Sequence, residues 1–309
     1  MTMHGTMRAC LVLALACCLL AAGGEARAQA RSSSVSYDIY TGGLQILELD
    51  AAISLDAGSY DLSAKLRTRG FMSTLFPWEQ ANRVAGTTTA PFPAPLRFEQ
   101  RGVFRGKERS VEIAYRDGRI AELAVAPVGG DDNDREQVPL DDVAGALDPL
   151  TGIVALLLRL EAGGSCDGRY DGFDGRRRFT MELVDRGNET IEVPGARGGP
   201  GPARVCDFVY RQTAGYARRV SWGPDRQREP REGRFWIGDP RQVVPGVALT
   251  RLPLRMEVEN SYGRMLAHLR PEAPRLRLLS ARPGGGSRSG CRRRGRRPGR
   301  APAPRCSRS

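Results

Sequence analysis

"LELDAAISLDAGSYDLSAKL", residues 47–66, decides the fold class. Its apolar positions fall on every second residue: Leu47, Leu49, Ala51, Ile53 and Leu55, then, after "DAGS", Tyr60, Leu62, Ala64 and Leu66. Glu48, Asp50 and Ser54, then Asp61, Ser63 and Lys65, take the alternate places. A period of two belongs to a strand with one face on a core and one toward water, and Asp/Gly/Ser text between two such runs belongs to a hairpin turn. On this reading Glu48 and Asp50, like Glu257 and Glu259 further on, are solvated charges of an outer face.

The period recurs outward from that hairpin. "SVEIAYRDGRIAELAVAP" sets Val111, Ile113 and Tyr115 on one face, then Asp117-Gly118, a strong two-residue turn signal, then a partner strand from Ile120 to Ala126. Further strands read from Phe179, Met181 and Leu183, from Cys206, Phe208 and Tyr210, and from Leu252, Leu254, Met256 and Val258. "APFPAP", residues 90–95, lacks ladder donors and is expected outside the sheet as a turn. About ten or more strands of this length give a mainly β protein, a curved antiparallel sheet forming a half-barrel or partly open barrel.

One segment breaks the period. "DPLTGIVALLLRLEAGG" offers Asp148 as N-cap, Pro149 at the first helical position and Gly163 as a stop, with Leu150, Ile153, Val154, Leu157, Leu158 and Leu160 apolar almost all round. This predicts one short buried helix over about 148–161.

The ends carry different text. Residues 1–28 have Arg8, an apolar run from Ala9 to Ala22 and Ala26-Arg27-Ala28, the layout of a cleaved secretory signal, too short to span a bilayer comfortably. A periplasmic protein with no transmembrane segment after cleavage is expected; Cys17 and Cys18 invite a lipid anchor, but "ALAC" is a poor lipobox. Residues 29–269 are long enough for one β-rich domain with a substantial core. From Arg270 to Ser309 there are 13 arginines and one acid, a balance of +12 that equals the whole chain's net charge. That Arg/Gly/Pro/Ser text cannot bury a core and is expected to be disordered. With 45 arginines against Lys65 and Lys107 alone, coding is GC-rich, and the tail reads as a frameshifted or spurious extension. No aromatic residue interleaves it for base stacking, so nucleic acid is not the expected partner.

Site chemistry is sparse. The histidines are His4, in the leader, and His268, expected to be a partly exposed strand residue, so neither a histidine zinc set nor a histidine-based nucleophile is supplied. GxSxG, a GxGxxG after a strand, and GxxxxGK[ST] are missing. "GGDDNDRE", residues 129–136, resembles a calcium loop until Arg135 falls where a ligand should sit, and it is expected to be a solvated loop. "CDGRYDGFDGRRRF", residues 166–179, mixes a cysteine with aspartates and glycines. Outside the leader and the tail only Cys166 and Cys206 remain, and in an exported domain they most simply form one disulfide, worth about 4 kcal/mol by loop closure. A nucleophilic Cys166 would need a nearby base and a reducing compartment. Asp167-Gly168, Asp171-Gly172 and Asp174-Gly175 then read as turns, with a strand starting at the arginines and Phe179 inward.

In order, "SYDIYTGGLQILELDAAISLDAGSYDLSAKLRTRGFMSTLFPWEQANRVAGTT", "PLRFEQRGVFRGKERSVEIAYRDGRI", "LDPLTGIVALL" and "CDGRYDGFDGRRRF…VCDFVYRQTAGY" resemble the proteobacterial domain of unknown function 3108 family over about residues 35–269. The resemblance implies a periplasmic or envelope-associated, mostly antiparallel half-barrel. It transfers no catalytic residue, cofactor or metal, and the Arg-rich tail departs from the family pattern. Two functional expectations remain, neither of them enzymatic. In one, the half-barrel binds a hydrophobic or lipid-like envelope molecule, lined by Phe71, Leu75, Phe76, Trp78, Leu150, Ile153, Val154, Leu157 and Leu158. In the other, those residues are core and the protein is a structural or assembly partner of an envelope protein, with no small-molecule ligand.

Overall fold

The alternation around residues 47–66 runs through the whole sheet in the computed structural model of the protein, which describes residues 31–272 apart from 89–91, 105, 128–134, 197–198, 219–224 and 261–262. Among the described residues the strands are β1 (Arg31–Thr41), β2 (Leu44–Leu55), β3 (Ser59–Thr68), β4 (Trp78–Thr87), β5 (Ala94–Phe104), β6 (Lys107–Arg116), β7 (Arg119–Ala126), β8 (Gly168–Phe173), β9 (Arg178–Ile191), β10 (Gly201–Ala214), β11 (Arg231–Gly238), β12 (Leu252–Asn260) and β13 (Gly263–Leu269). They form one antiparallel sheet in the order β7-β6-β5-β4-β3-β2-β1-β13-β12-β11-β10-β9-β8. The sheet is therefore two sequential meanders joined by the β1–β13 ladder, and its edge strands β7 and β8 do not pair with each other.

The seam between those edges is spanned by the segment that connects them. Ile120 N donates to Ala144 O at 2.9 Å on the β7 side, while Leu147 N donates to Asp171 O at 3.0 Å and Phe173 N to Leu147 O at 2.9 Å on the β8 side. The Arg176 guanidinium adds a clasp to Ala126 O, 2.8 Å away at the end of β7. Covering both edges in this way satisfies backbone groups that would otherwise template foreign strands.

One end of the half-barrel is plugged. Helix α2 (Pro149–Glu161) starts as its sequence dictates: Asp148 caps it by accepting from Leu150 N at 3.0 Å and Thr151 N at 2.9 Å, and proline occupies the first turn. Its buried side, Leu150, Val154, Leu157 and Leu160, meets Ile53, Leu55, Tyr60, Leu62 and Val84 of the inner face. Each such side chain taken from water contributes roughly 1.5–3 kcal/mol. Tyr60 and Thr151 hydroxyls lie 2.8 Å apart in that core, and since Thr151 gives its proton to Asp148, Tyr60 donates to Thr151. Arg31 at the start of β1 and Thr250 both bond to Glu161, tying the helix's last turn to the sheet.

Several sequence expectations are corrected. Helix α2 is not buried all round, since Ile153 is 41% exposed. A second helix, α1 (Phe71–Leu75), follows β3; five residues without a side-chain cap leave no periodic signal. Pro95 sits inside β5, paired with Gly86 beside a register shift at Ala85/Gly86, where the missing N–H is tolerated. Asp171-Gly172 is no turn but the middle of β8, and Gly172 is glycine because the Phe179 ring lies directly across it, 2.2 Å from where a Cβ would stand. Of the three Asp-Gly pairs, Asp174-Gly175 makes the hairpin turn.

Glu48 and Asp50 are the largest correction. They do point away from the core, yet they are 3% and 7% exposed. Arginines from β3, from just after it and from the chain beyond β13 cover them. The Arg69 Nε donates to Glu48 at 2.6 Å, Arg67 binds both Glu48 and Asp50, and Arg270 binds Asp38 and Glu48. Ser36 donates to Asp50 at 2.6 Å and Gln45 to Asp38 at 2.6 Å.

The leader at residues 1–28 lies outside the described residues, as do residues 273–309 of the Arg-rich tail and most of the "GGDDNDRE" loop. Arg270, at the head of that tail, belongs to the sheet: its backbone N–H donates to Ser36 O.

Candidate functional site

Opposite the helical plug the half-barrel is open. By strand direction its mouth is rimmed by the β1–β2 turn, α1, the β5–β6 turn and the Asp174–Arg177 turn between β8 and β9. The inner face there is of two kinds. A row of directly paired residues runs from Leu47 through Ile39 and Ala267 to Met256 and Phe235, apolar throughout. A second row runs the other way over β2 to β6, from Leu49 through Leu66, Gln80 and Gly102 to Arg109, and changes from apolar to cationic within five strands. Leu47, Leu49, Leu66, Phe235, Met256, Val258 and Met265 face inward yet remain half-exposed, unlike their counterparts under α2.

The polar arc borders two adjoining hollows. One, of about 290 Å³, is lined by Trp78, Gln80, Gln100, Arg109, Asp174 and Arg177, among others; the second, of about 320 Å³, lies over the seam against Leu123, Val125 and Phe173. Arg135 and Arg176 border both. The turn that brings the arginines in is built locally. Asp174 accepts from the backbone N–H groups of Arg176 at 3.0 Å and Arg177 at 2.7 Å, and from the Arg177 Nε at 2.7 Å. Gly175, at φ 88°, lets that turn press onto Val111 of β6.

The outer face offers charge but no chemistry. Burial alone would raise the Glu48 pKa; the hydrogen bond from Arg69, the Arg67 charge and Arg270 outweigh it and hold the carboxyl at about 2. The neighbouring set is balanced, three carboxylates (Asp38, Glu48, Asp50) against three guanidiniums (Arg67, Arg69, Arg270), so it locks strands rather than awaiting a proton or a ligand. A second lock follows on β10, where hydrogen bonding from Arg234 comes first in holding Asp207 low and Arg186 assists. His268 is half-buried on β13, edge-on to Tyr40 at 6.4 Å between ring centroids, and burial and then Arg255 push its pKa down. Among the described residues no three His, Cys, Asp or Glu side chains gather as metal ligands, and no helix is long and apolar enough to cross a membrane.

The structure separates the nine candidate lining residues. Leu150, Val154 and Leu157 are buried in the plug, Leu158 is half-buried and Ile153 is exposed. Phe71, Leu75 and Phe76, at 73%, 51% and 42% exposure, stand on the rim. These groups flank opposite ends of β3, whose ten residues at about 3.3 Å each put roughly 30 Å between them. Trp78 borders the polar hollow, whose described lining includes none of the other eight. Sequence reasoning missed Gln80, Gln100 and Arg109 because an inward polar residue spoils the alternation that marks a strand; a Gln, Gly or Arg at an inward register position was the signal to look for. Cys166 and Cys206 are bonded as a disulfide, Cα atoms 6.0 Å apart and both sulfurs in the core.

Comparison with known proteins adds the family. The chain is similar to the crystal structure of a beta-barrel-like protein of domain of unknown function DUF1849 from Brucella abortus, with 11% identity over 79% of this chain and 96% of that chain and a TM-score of 0.42. No curated protein matches the chain. The family described as protein of unknown function (DUF3108) matches residues 36–270, a span whose two end residues are hydrogen-bonded to each other across β1 and β13. The chain thus belongs to the DUF3108 family.

Proposed function

We propose that the protein is an exported, non-catalytic envelope component that holds a hydrophobic or lipid-like molecule in the open half of its half-barrel. The observation that carries this is the set of inward residues Leu47, Leu49, Leu66, Met256 and Phe235, drawn from both rows and half-exposed where the same face is buried at the other end with α2. Apolar concave surface of that kind is what ligand pockets are made of. Phe71, Leu75 and Phe76 on the rim suit an entry path, with Trp78 just inside. Periplasmic residence follows from the leader text at residues 1–28 and agrees with the Cys166–Cys206 disulfide, a bond of oxidising compartments.

The alternative is a structural or assembly partner of another envelope protein, which the exposed rim aromatics favour, since clustered exposed apolar residues mark interaction surfaces. Native mass spectrometry and organic extraction of protein purified from its own periplasm distinguish the two. A bound lipid-like species, lost in a Leu66→Glu variant that still folds, is the expected result. Repeated recovery of ligand-free protein together with a stoichiometric protein partner overturns the carrier reading.

A further inference from the structure

A further hollow lies on the outer face of the sheet, across the β1–β13 ladder. We infer that it is a binding site for a small neutral phenol, with the ring against Tyr40, Leu266, Pro194 and Pro271 and the hydroxyl on His268. The site is separate from the carrier reading above and does not depend on it.

Its shape comes first. The volume, about 460 Å³, is in the range of small-molecule sites, and the described lining is mostly apolar with a few polar groups converging on it. Asp38 of β1 and His268 of β13 are directly paired, which puts them on one face. The imidazole stands edge-on to Tyr40, and the two prolines and Leu266 complete walls that suit the flat face of a ring. Gly42 and Gly43, at φ 57° and 81°, close the β1–β2 turn without side chains, and a Cβ on either would meet nothing within 4 Å, so that side is open for entry.

The charges around the hollow are already used. Asp38 is bound by Arg270, Arg270 also by Glu48, and Arg264 by Glu257 and Glu259. A charged ligand would have to compete with these pairs, and a neutral one would not. His268 is the polar group left over. It makes no hydrogen bond among the described residues, and Nδ1 is shut off from solvent, which leaves Nε2 as the nitrogen a ligand can reach. Burial and then the neighbouring Arg255 disfavour the charged ring, so at neutral pH it has one donor and one acceptor nitrogen. A hydroxyl both donates and accepts, and so pairs with Nε2 in either tautomer.

The test is NMR of the full chain labelled in histidine and tyrosine, titrated with naphthol, naphthalene and naphthoate; the His268 signals are those missing from His268→Phe. Naphthol is expected to shift them and to bind about fivefold more tightly than naphthalene, the size of one neutral hydrogen bond, with naphthoate weaker than naphthol. In His268→Phe, read on the Tyr40 ring, naphthol and naphthalene should bind equally. Leu266→Trp, which fills the hollow, should leave the His268 signals unmoved by any of the three. No shift in the wild type up to the solubility of the probes, or shifts that persist in Leu266→Trp, overturns the site. Naphthalene binding as tightly as naphthol, or a preference that survives in folded His268→Phe, overturns the hydroxyl assignment, and naphthoate binding more tightly than naphthol overturns the neutral class.

Discussion

The backbone N–H of Arg270 donates to the carbonyl oxygen of Ser36 at 2.8 Å, and the Arg270 side chain continues over the same strand to Asp38 and Glu48. The last residue of the family match is thereby bonded to the first, and each reaches a buried carboxylate of β2, Arg270 to Glu48 and Ser36 to Asp50. Glu48 lies at about 2 against an ordinary 4.5, so its contribution to stability is present in full above about pH 4.5 and is lost as the pH falls toward 2. Glu48→Gln should cost on the order of 3 kcal/mol at neutral pH, because it leaves arginines without their buried partner. Urea unfolding from pH 7 to pH 2 should show the difference between wild type and variant shrinking across that window. A constant difference would show that Glu48 does not titrate with the fold.

The disulfide makes a separate prediction. Cys166 and Cys206 are both 0% exposed, so mild reductant should leave the bond intact in the folded protein and reduce it on unfolding. Replacing both by alanine should lower stability by about 4 kcal/mol, the loop-closure value for a separation of 40 residues. Peptide mapping without reduction should recover the Cys166 and Cys206 peptides linked, and two separate thiol peptides would refute the pairing.

Two glycines should respond to alanine with opposite sign. Gly118 has φ 71° and follows Asp117 at φ 52°, a hairpin turn in which both central residues lie in the left-handed region, so Gly118→Ala should destabilise by about 1 kcal/mol. Gly152 is inside α2 with nothing within 4 Å of a new Cβ, so Gly152→Ala should stabilise by up to about 1 kcal/mol. Thermal unfolding midpoints of the two variants on either side of wild type are the expected outcome.

Asp148 joins the helix to the sheet through Thr151 and Tyr60. Asp148→Ala should cost about 2 kcal/mol, the upper range for a lost cap, since Thr151 also loses its acceptor. Asp148→Asn keeps an acceptor and should cost less. Burial already raises the Asp148 pKa, so the charge that asparagine removes is one the core disfavours. Chemical denaturation of both variants checks the order.

What the sequence disclosed followed the logic of burial. The β2–β3 hairpin was plain because Ile53, Leu55, Tyr60 and Leu62 meet the plug, and α2 because Asp148, Pro149 and Gly163 punctuate it. Strand β4 was not plain, since its inward Gln80 and Asn82 face an open mouth rather than a core. Likewise Glu48 and Asp50 were assigned correctly to the outer face but wrongly to water. Local alternation records which way a side chain points; whether an arginine from 17 to 222 residues away will cover it is a tertiary fact. The candidate lining was divided for the same reason: Phe71 and Leu157 are both apolar, and only the length of β3 reveals that they stand at opposite ends of it.

The strand order has a consequence for how the chain can be cut. Among the described residues every ladder but one joins strands adjacent in sequence, and the exception, β1 with β13, lies at the centre of the sheet. Strand β13 is therefore a keystone, and until it arrives β1 and β12 are both bare edges. A stop codon before Gly263 would not trim a margin of this protein; it would part the sheet down its middle into two meanders, each showing the other an unpaired strand.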